Sequence, residues 1–124
     1  MSILYRNHEV YPESILIRDF TNKVSVDEII RSWEYLIENN MINPSIKGVI
    51  NNIAGCELEM TIDSFEILID YLKMKKIFNN IKLAVICDNP KTIIFPILGA
   101  IDVKELKIKP FSTFASAENW ILNE

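Results

Sequence analysis

Short apolar segments alternate with longer amphipathic segments along almost the whole of this 124-residue chain, and this alternation limits its fold more than any other feature. The clearest apolar segment is Ile81 to Cys87, which is nearly all apolar and is typical of a strand covered on both faces. A chain that alternates strands with helices folds into a parallel sheet with helices packed against it. The sequence therefore predicts an α/β fold, and its length predicts one domain over residues 1–124.

Two strand candidates precede the first helix. Ser2 to Tyr5 and Ser14 to Phe20 lie on either side of a turn, so we expect them to pair as an antiparallel hairpin. His8 falls in that turn and is expected at the surface rather than as a metal ligand. The other predicted strands are Ile46 to Ile53, Ile81 to Cys87 and Leu106 to Pro110.

Helix starts are marked by capping residues. Ser25 and Glu28 have the spacing of a capping box, and the helix that they open is expected to run to about Asn39. Thr61 is the expected N-cap of a second helix that ends near Lys76. Two further helices are predicted, one starting at Asn89-Pro90 and one over Thr113 to Leu122.

Composition excludes several classes of protein. Acidic residues outnumber basic ones by 17 to 13, which argues against nucleic acid as the main partner. Charges interrupt every apolar run before it is long enough to span a bilayer, and the N-terminus does not resemble a signal peptide, so we expect a cytoplasmic protein. Two cysteines are too few for a disulfide framework, and we expect no metal and no cofactor.

Two segments carry a resemblance to a known family. Lys82 to Asp88 and the closing stretch Phe111 to Ile121 resemble the STAS domains, also called SpoIIAA-like, and more closely the small stand-alone bacterial STAS-like proteins. Their fold is akin to that of CRAL-TRIO lipid-transfer domains. The resemblance implies a mixed, mostly parallel sheet of about five strands, with an antiparallel N-terminal edge strand and helices on both faces. It also implies a regulatory or scaffold role without catalysis.

Ser64 is a candidate phosphorylation site by the same resemblance. Classical members carry a phosphorylatable serine in an Asp-Ser-Ser-Gly setting at the start of a helix. Asp63 and Ser64 match the first pair, whereas Phe65 and Glu66 do not match the second, and Glu66 would repel a phosphate. The alternative interpretation is that Asp63 and Ser64 are ordinary first-turn polar residues.

The second and third predicted helices carry more apolar residues than one packed face needs. An amphipathic surface helix needs a single apolar stripe, and large unpartnered patches mark interfaces. The surplus residues are Ile67, Tyr71 and Met74 on the second helix and Ile94, Ile97 and Ile101 on the third. We expect a homodimer through these residues. A regulatory protein partner and an apolar ligand such as a lipid are alternatives, and a loosely covered core with Tyr71 and Met74 beneath the loop after Asn79 is another.

Polar residues at the carboxyl ends of the predicted strands form a candidate ligand edge, because parallel sheets bind ligands there. The candidates are Asn52, Cys56, Cys87 and Asp88. No base is placed to activate either thiol and no glycine-rich loop follows a strand, so an enzyme is the less favoured interpretation and no catalytic residue is predicted.

Overall fold

The computed structural model describes residues 2–88 and 106–123, and in these ranges the chain forms seven strands, three α-helices and a short 3-10 helix. The strands are β1 (Ile3–Asn7), β2 (Ile15–Phe20), β3 (Lys23–Ser25), β4 (Gly48–Asn52), β5 (Glu57–Glu59), β6 (Lys82–Ile86) and β7 (Lys107–Phe111). The α-helices are α1 (Val26–Glu38), α2 (Ile62–Met74) and α3 (Phe114–Asn123), and the 3-10 helix is Lys76–Asn80.

Five strands form the main sheet in the order β1-β2-β4-β6-β7. β1 runs antiparallel to β2, and the other neighbouring pairs are parallel. This is the predicted mixed, mostly parallel sheet with an antiparallel N-terminal edge strand. The strand order advances in one direction after β2, so right-handed crossovers place α1 and α2 on the same face.

A second, two-stranded sheet was not predicted. β3 pairs with β5 in parallel, and each strand has only three residues. Such short segments carry no readable alternation, and their pairing depends on the folded chain bringing them together.

The helices cover both faces of the main sheet, as predicted. On one face, residues of α1 and α2 such as Trp33 and Phe65 pack with Leu16 and Val49 in the larger core. On the other face, Ala117 and Ile121 of α3 and Ile17 and Ile50 of the sheet belong to a smaller core. Side chains that alternate along each strand therefore contribute to both cores.

Both predicted helix caps are confirmed. The Ser25 hydroxyl accepts from the Glu28 amide, and the Glu28 carboxylate accepts from the Ser25 amide, which completes the capping box. The Thr61 hydroxyl accepts from the Ser64 amide at 3.1 Å, so Thr61 is the N-cap of α2. The remaining predicted helix, from Asn89-Pro90, lies outside the described residues.

His8 lies in the turn after β1 as expected, but it is not a surface residue: only 8% of it is exposed. Its Nδ1 accepts hydrogen bonds from the Val10 and Tyr11 amides, both at 3.1 Å. The ring proton must therefore lie on Nε2, which donates to Glu118 Oε1 of α3 at 2.6 Å. This hydrogen bond connects the turn to α3, and no local sequence pattern indicates the connection.

Across residues 2–88 and 106–123, no helix combines the length and the apolar character needed to cross a membrane.

Candidate ligand-binding site

A row of paired residues crosses the sheet on the face that α1 and α2 cover. Arg18 of β2 lies between Tyr5 of β1 and Asn51 of β4, and Asn51 lies beside Val85 of β6. Arg18 is 2% exposed and Asn51 is also buried. The sheet therefore places a guanidinium and an amide next to each other inside an otherwise apolar core.

Two kinds of contact, hydrogen bonds and cation–π contacts, hold the Arg18 side chain. Its Nε donates to Asn51 Oδ1 at 2.8 Å, and its Nη1 donates to Ser32 Oγ of α1 at 2.9 Å. Its guanidinium carbon lies 3.7 Å from the centre of the Trp33 ring and 5.0 Å from that of Phe20, in cation–π contact. These contacts fix the plane and the position of the guanidinium.

Burial lowers the pKa of Arg18 to about 9, because the charged form loses its hydration. Tyr5 and Tyr71 oppose this shift and favour the charged form. Arg18 is therefore still a cation at neutral pH. Within the described part of the chain, no carboxylate forms an ion pair with it.

A cavity of about 90 Å³ lies between the sheet and helices α1 and α2, and Arg18 lines it. Arg18 and Asn51 are polar, and the other described residues of its lining are apolar. These are Phe20, Ile29, Trp33, Ile53, Leu58, Met60, Phe65, Leu68, Ile69, Leu72, Leu83, Val85 and Ile108. Because Leu58, Met60 and Leu68 keep partial solvent exposure, the cavity reaches the surface beside the start of α2.

The predicted ligand edge is divided between the two faces of the sheet. Cys87 is part of the larger core and Cys56 packs against it. Burial raises the pKa of both thiols, and the carboxylate of Asp88 adds to the rise, so both lie near Asp88. Asn52 instead donates to Asp19 Oδ1 at 3.0 Å, in a network that does not include the thiols.

Asp19 is the centre of that second network. Arg6 Nε donates to its Oδ2 at 2.7 Å. Burial alone would raise the pKa of Asp19, but the hydrogen bonds from Arg6 and Asn52 lower it below its ordinary value. Arg6 and Asn52 thus both pair with Asp19 within this cluster. We assign the cluster a role in fixing β1 to β2.

The predicted interface residues of α2 have different environments. Ile67 is 59% exposed and Met74 is 77% exposed. Tyr71 packs against the larger core, and its ring centre lies 6.2 Å from that of the fully buried Phe78. The other predicted interface residues, Ile94, Ile97 and Ile101, lie outside the described residues.

The Tyr71 hydroxyl is shielded from solvent and makes no hydrogen bond of ordinary geometry with the described residues. Burial raises its pKa, and the nearby Glu34 carboxylate adds to the rise. Tyr71 therefore belongs to the interior of the subunit more than to its surface.

Ser64 takes part in the cap of α2. Its hydroxyl accepts from the Thr61 amide at 2.8 Å and lies 3.2 Å from the Thr61 carbonyl, to which it donates. The side chain is half-buried. Its phosphorylation stays a prediction from the sequence, and the geometry adds that a phosphate would replace these capping contacts.

Sequence reasoning missed Arg18, Ser32 and the cavity. One signal was present: Arg18 directly follows the apolar run Ile15–Ile17 in β2, a strand that has a neighbour on each side. Long charged side chains are rarely fully buried, so a base at such a position indicates a polar interior site. As for a metal centre, no group of three histidine, cysteine, aspartate or glutamate residues is close enough to hold one in the described ranges.

Comparison with solved structures confirms the SpoIIAA-like fold. An uncharacterised protein of the DUF3478 family from Shewanella loihica PV-4, described as having a SpoIIAA-like fold, superposes with a TM-score of 0.63. The match covers 96% of this chain and 91% of that chain, at 13% sequence identity, so the similarity shows the fold alone. No family model matches the sequence, and no curated protein matches it.

Proposed function

We propose that this chain is a non-enzymatic binding module of the STAS-like kind, which takes a small apolar ligand into the cavity between its sheet and helices α1 and α2. The observation that carries the proposal is the cavity itself, with apolar walls from both helices and a fixed polar pair at one position. Ligand pockets commonly combine an apolar lining with a few oriented polar groups.

The thiols support a binding role over a catalytic one. A cysteine attacks as its thiolate, and a raised pKa keeps Cys56 and Cys87 protonated at neutral pH. His8 lies on another part of the molecule, and its Nδ1 lone pair already accepts hydrogen bonds from two backbone amides. Regulation through a protein partner and a cytoplasmic location remain predictions from the sequence.

Filling the cavity tests the proposal. Leu68 lines the cavity from α2, whereas its neighbour Ile67 points to solvent. Leu68→Trp should abolish binding of pentan-1-ol, measured by saturation-transfer NMR, and the matched control Ile67→Trp should leave it unchanged. If Leu68→Trp does not fold, Leu68→Phe provides the smaller insertion. Equal pentan-1-ol signals from both variants, or none from the wild type, would contradict the proposal.

A second candidate function is self-association through α2. The specific observation is the pair of large apolar side chains Ile67 and Met74, which are exposed on the same side of the helix. Sedimentation of the double variant Ile67→Glu, Met74→Glu should show a monomer where the wild type shows a dimer. A monomeric wild type would remove this candidate.

A further inference from the structure

Among the described residues, the guanidinium of Arg18 finds acceptors for only part of its donors. A guanidinium has N–H donors on three nitrogens, and Nε and Nη1 each reach one acceptor. Within residues 2–88 and 106–123, Nη2 donates no hydrogen bond, and no carboxylate is paired with the group. The residue nevertheless is 2% exposed.

Such an arrangement is unfavourable unless something else is bound. Buried charges in proteins are usually paired, because removing an ion from water carries a large free-energy cost that a counter-charge and hydrogen bonds offset. Stacking on Trp33 offsets part of this cost. Arg18 lines the cavity, so a ligand held there reaches the donors that the described residues leave without an acceptor.

We infer that the ligand of this cavity is a small aliphatic monocarboxylic acid, whose carboxylate pairs with Arg18 and whose hydrocarbon part occupies the apolar space beside Trp33 and Leu68. This inference rests on the proposed function and names the ligand class. A planar carboxylate matches the fork of donors on a guanidinium, which Asn51 and Ser32 hold in one orientation.

The size of the cavity limits the acid. An apolar cavity of ~150 Å³ accepts benzene. By the same proportion, a cavity of about 90 Å³ encloses roughly three to four carbon atoms. Because the cavity reaches the surface, an acid of up to about five carbon atoms fits with one end in the opening. The apolar walls disfavour a second charge, so a monocarboxylate fits the site better than a dicarboxylate or a phosphate dianion.

The test places a counter-charge beside Arg18 from within the protein. Asn51→Asp places a carboxylate at the atom that Arg18 Nε already contacts at 2.8 Å, with almost no change of volume. Asn52→Asp is the matched control, because it makes the same charge change one residue further along, in the network with Asp19. Calorimetric titration at pH 7 compares pentanoate with pentan-1-ol on the wild type and both variants.

The wild type should bind pentanoate about tenfold or more tightly than pentan-1-ol, since a charged, desolvated hydrogen bond is lost with the alcohol. Asn51→Asp should remove this preference by weakening pentanoate binding about tenfold, and Asn52→Asp should keep it. Arg18→Met, which removes the cation with a side chain of similar length, should reverse the preference.

Equal affinities for pentanoate and pentan-1-ol in the wild type would overturn the inference. A preference for pentanoate that survives Asn51→Asp would overturn it too. In either case the proposed function stays intact if pentan-1-ol still binds. If neither probe binds the wild type, the proposed function fails and the inference fails with it.

Discussion

Arg18 contributes to stability in a way that depends on pH. Its pKa of about 9 in the folded chain lies well below its ordinary value. Between these values the unfolded chain holds more protons than the folded chain, so the free energy of unfolding due to this residue rises as the pH rises. Below pH 9 the penalty of burying the cation is fully present.

Replacing Arg18 by methionine tests this directly. At pH 7 the variant should be within about 1 kcal/mol of the wild type or more stable, because apolar replacements of buried charges are often neutral or stabilising. Between pH 8 and pH 10.5 the wild type should gain stability relative to the variant, by up to ~1.4 kcal/mol per pH unit above its folded pKa. Urea unfolding measures both quantities.

Arg31→Met is the control, because Arg31 is exposed and, among the described residues, pairs with Asp27 on the same helix. It should show no such change with pH. A difference between wild type and Arg18→Met that stays constant up to pH 10.5 would contradict the assignment of a depressed pKa.

A second prediction at the scale of single residues concerns His8. His8→Ala removes the acceptor of two backbone amides and the donor to Glu118, and it should lower the free energy of unfolding by about 1–3 kcal/mol. Glu118→Gln should cost clearly less, because its amide oxygen still accepts from Nε2. Equal losses in thermal unfolding would show that the hydrogen bond to Glu118, rather than the turn, determines the effect.

Contact between α3 and β4 gives a prediction at the scale of elements. A Cβ at Gly48 would lie 2.7–2.9 Å from three side-chain atoms of Ile121, which is too close for either element to keep its position. Gly48→Ala should therefore cost about 1–3 kcal/mol by overpacking. The measurement is chemical unfolding.

The double variant Gly48→Ala, Ile121→Ala isolates this contact. Ile121→Ala alone leaves a cavity and should cost about 2–5 kcal/mol. The two losses should not add: the double variant should be at least ~1 kcal/mol more stable than the sum predicts, because the new methyl group fills the vacated space. Additive losses would mean that α3 moves freely away from Gly48.

The elements that the sequence predicted are those whose ends are determined locally. Ser25 and Glu28 define the start of α1, and Thr61 defines the start of α2, through contacts within one helical turn. The sheet strands could be read from their apolar runs, with bounds that shift by a few residues. β3 and β5 could not, because each has three residues and is paired only across the folded chain.

The candidate site could be predicted only in part, for the same reason. Asn51 directly precedes the predicted edge residue Asn52, but its partner Arg18 is 33 residues away and meets it through sheet register. The cavity depends on how α1 and α2 pack on the sheet, which no residue pattern encodes. Surplus apolar residues on α2 were visible, yet the sequence could not show that Tyr71 packs inward while Ile67 and Met74 do not.

At the scale of the whole molecule, the topology explains why one face of the sheet can hold a site. Successive crossovers in one direction place α1 and α2 side by side over β2, β4 and β6. The polar row Tyr5, Arg18 and Asn51 runs beneath α1, which contributes Ser32 as an acceptor for both Tyr5 and Arg18. The smaller core beneath α3 closes the opposite face, where the buried Lys82 amine donates to the Trp120 and Ile121 carbonyls of α3.

The most direct test follows the Arg18 side chain itself during addition of pentanoate. The chain has three arginines, and the side chains of Arg6 and Arg31 are half or more exposed whereas Arg18 is buried, so its Nε–H resonance should be distinct in ¹H–¹⁵N NMR spectra. We predict that this resonance shifts on titration with pentanoate while those of Arg6 and Arg31 stay in place. An Arg18 resonance that does not move, or that moves no more than the two exposed ones, would contradict a carboxylate site in the cavity.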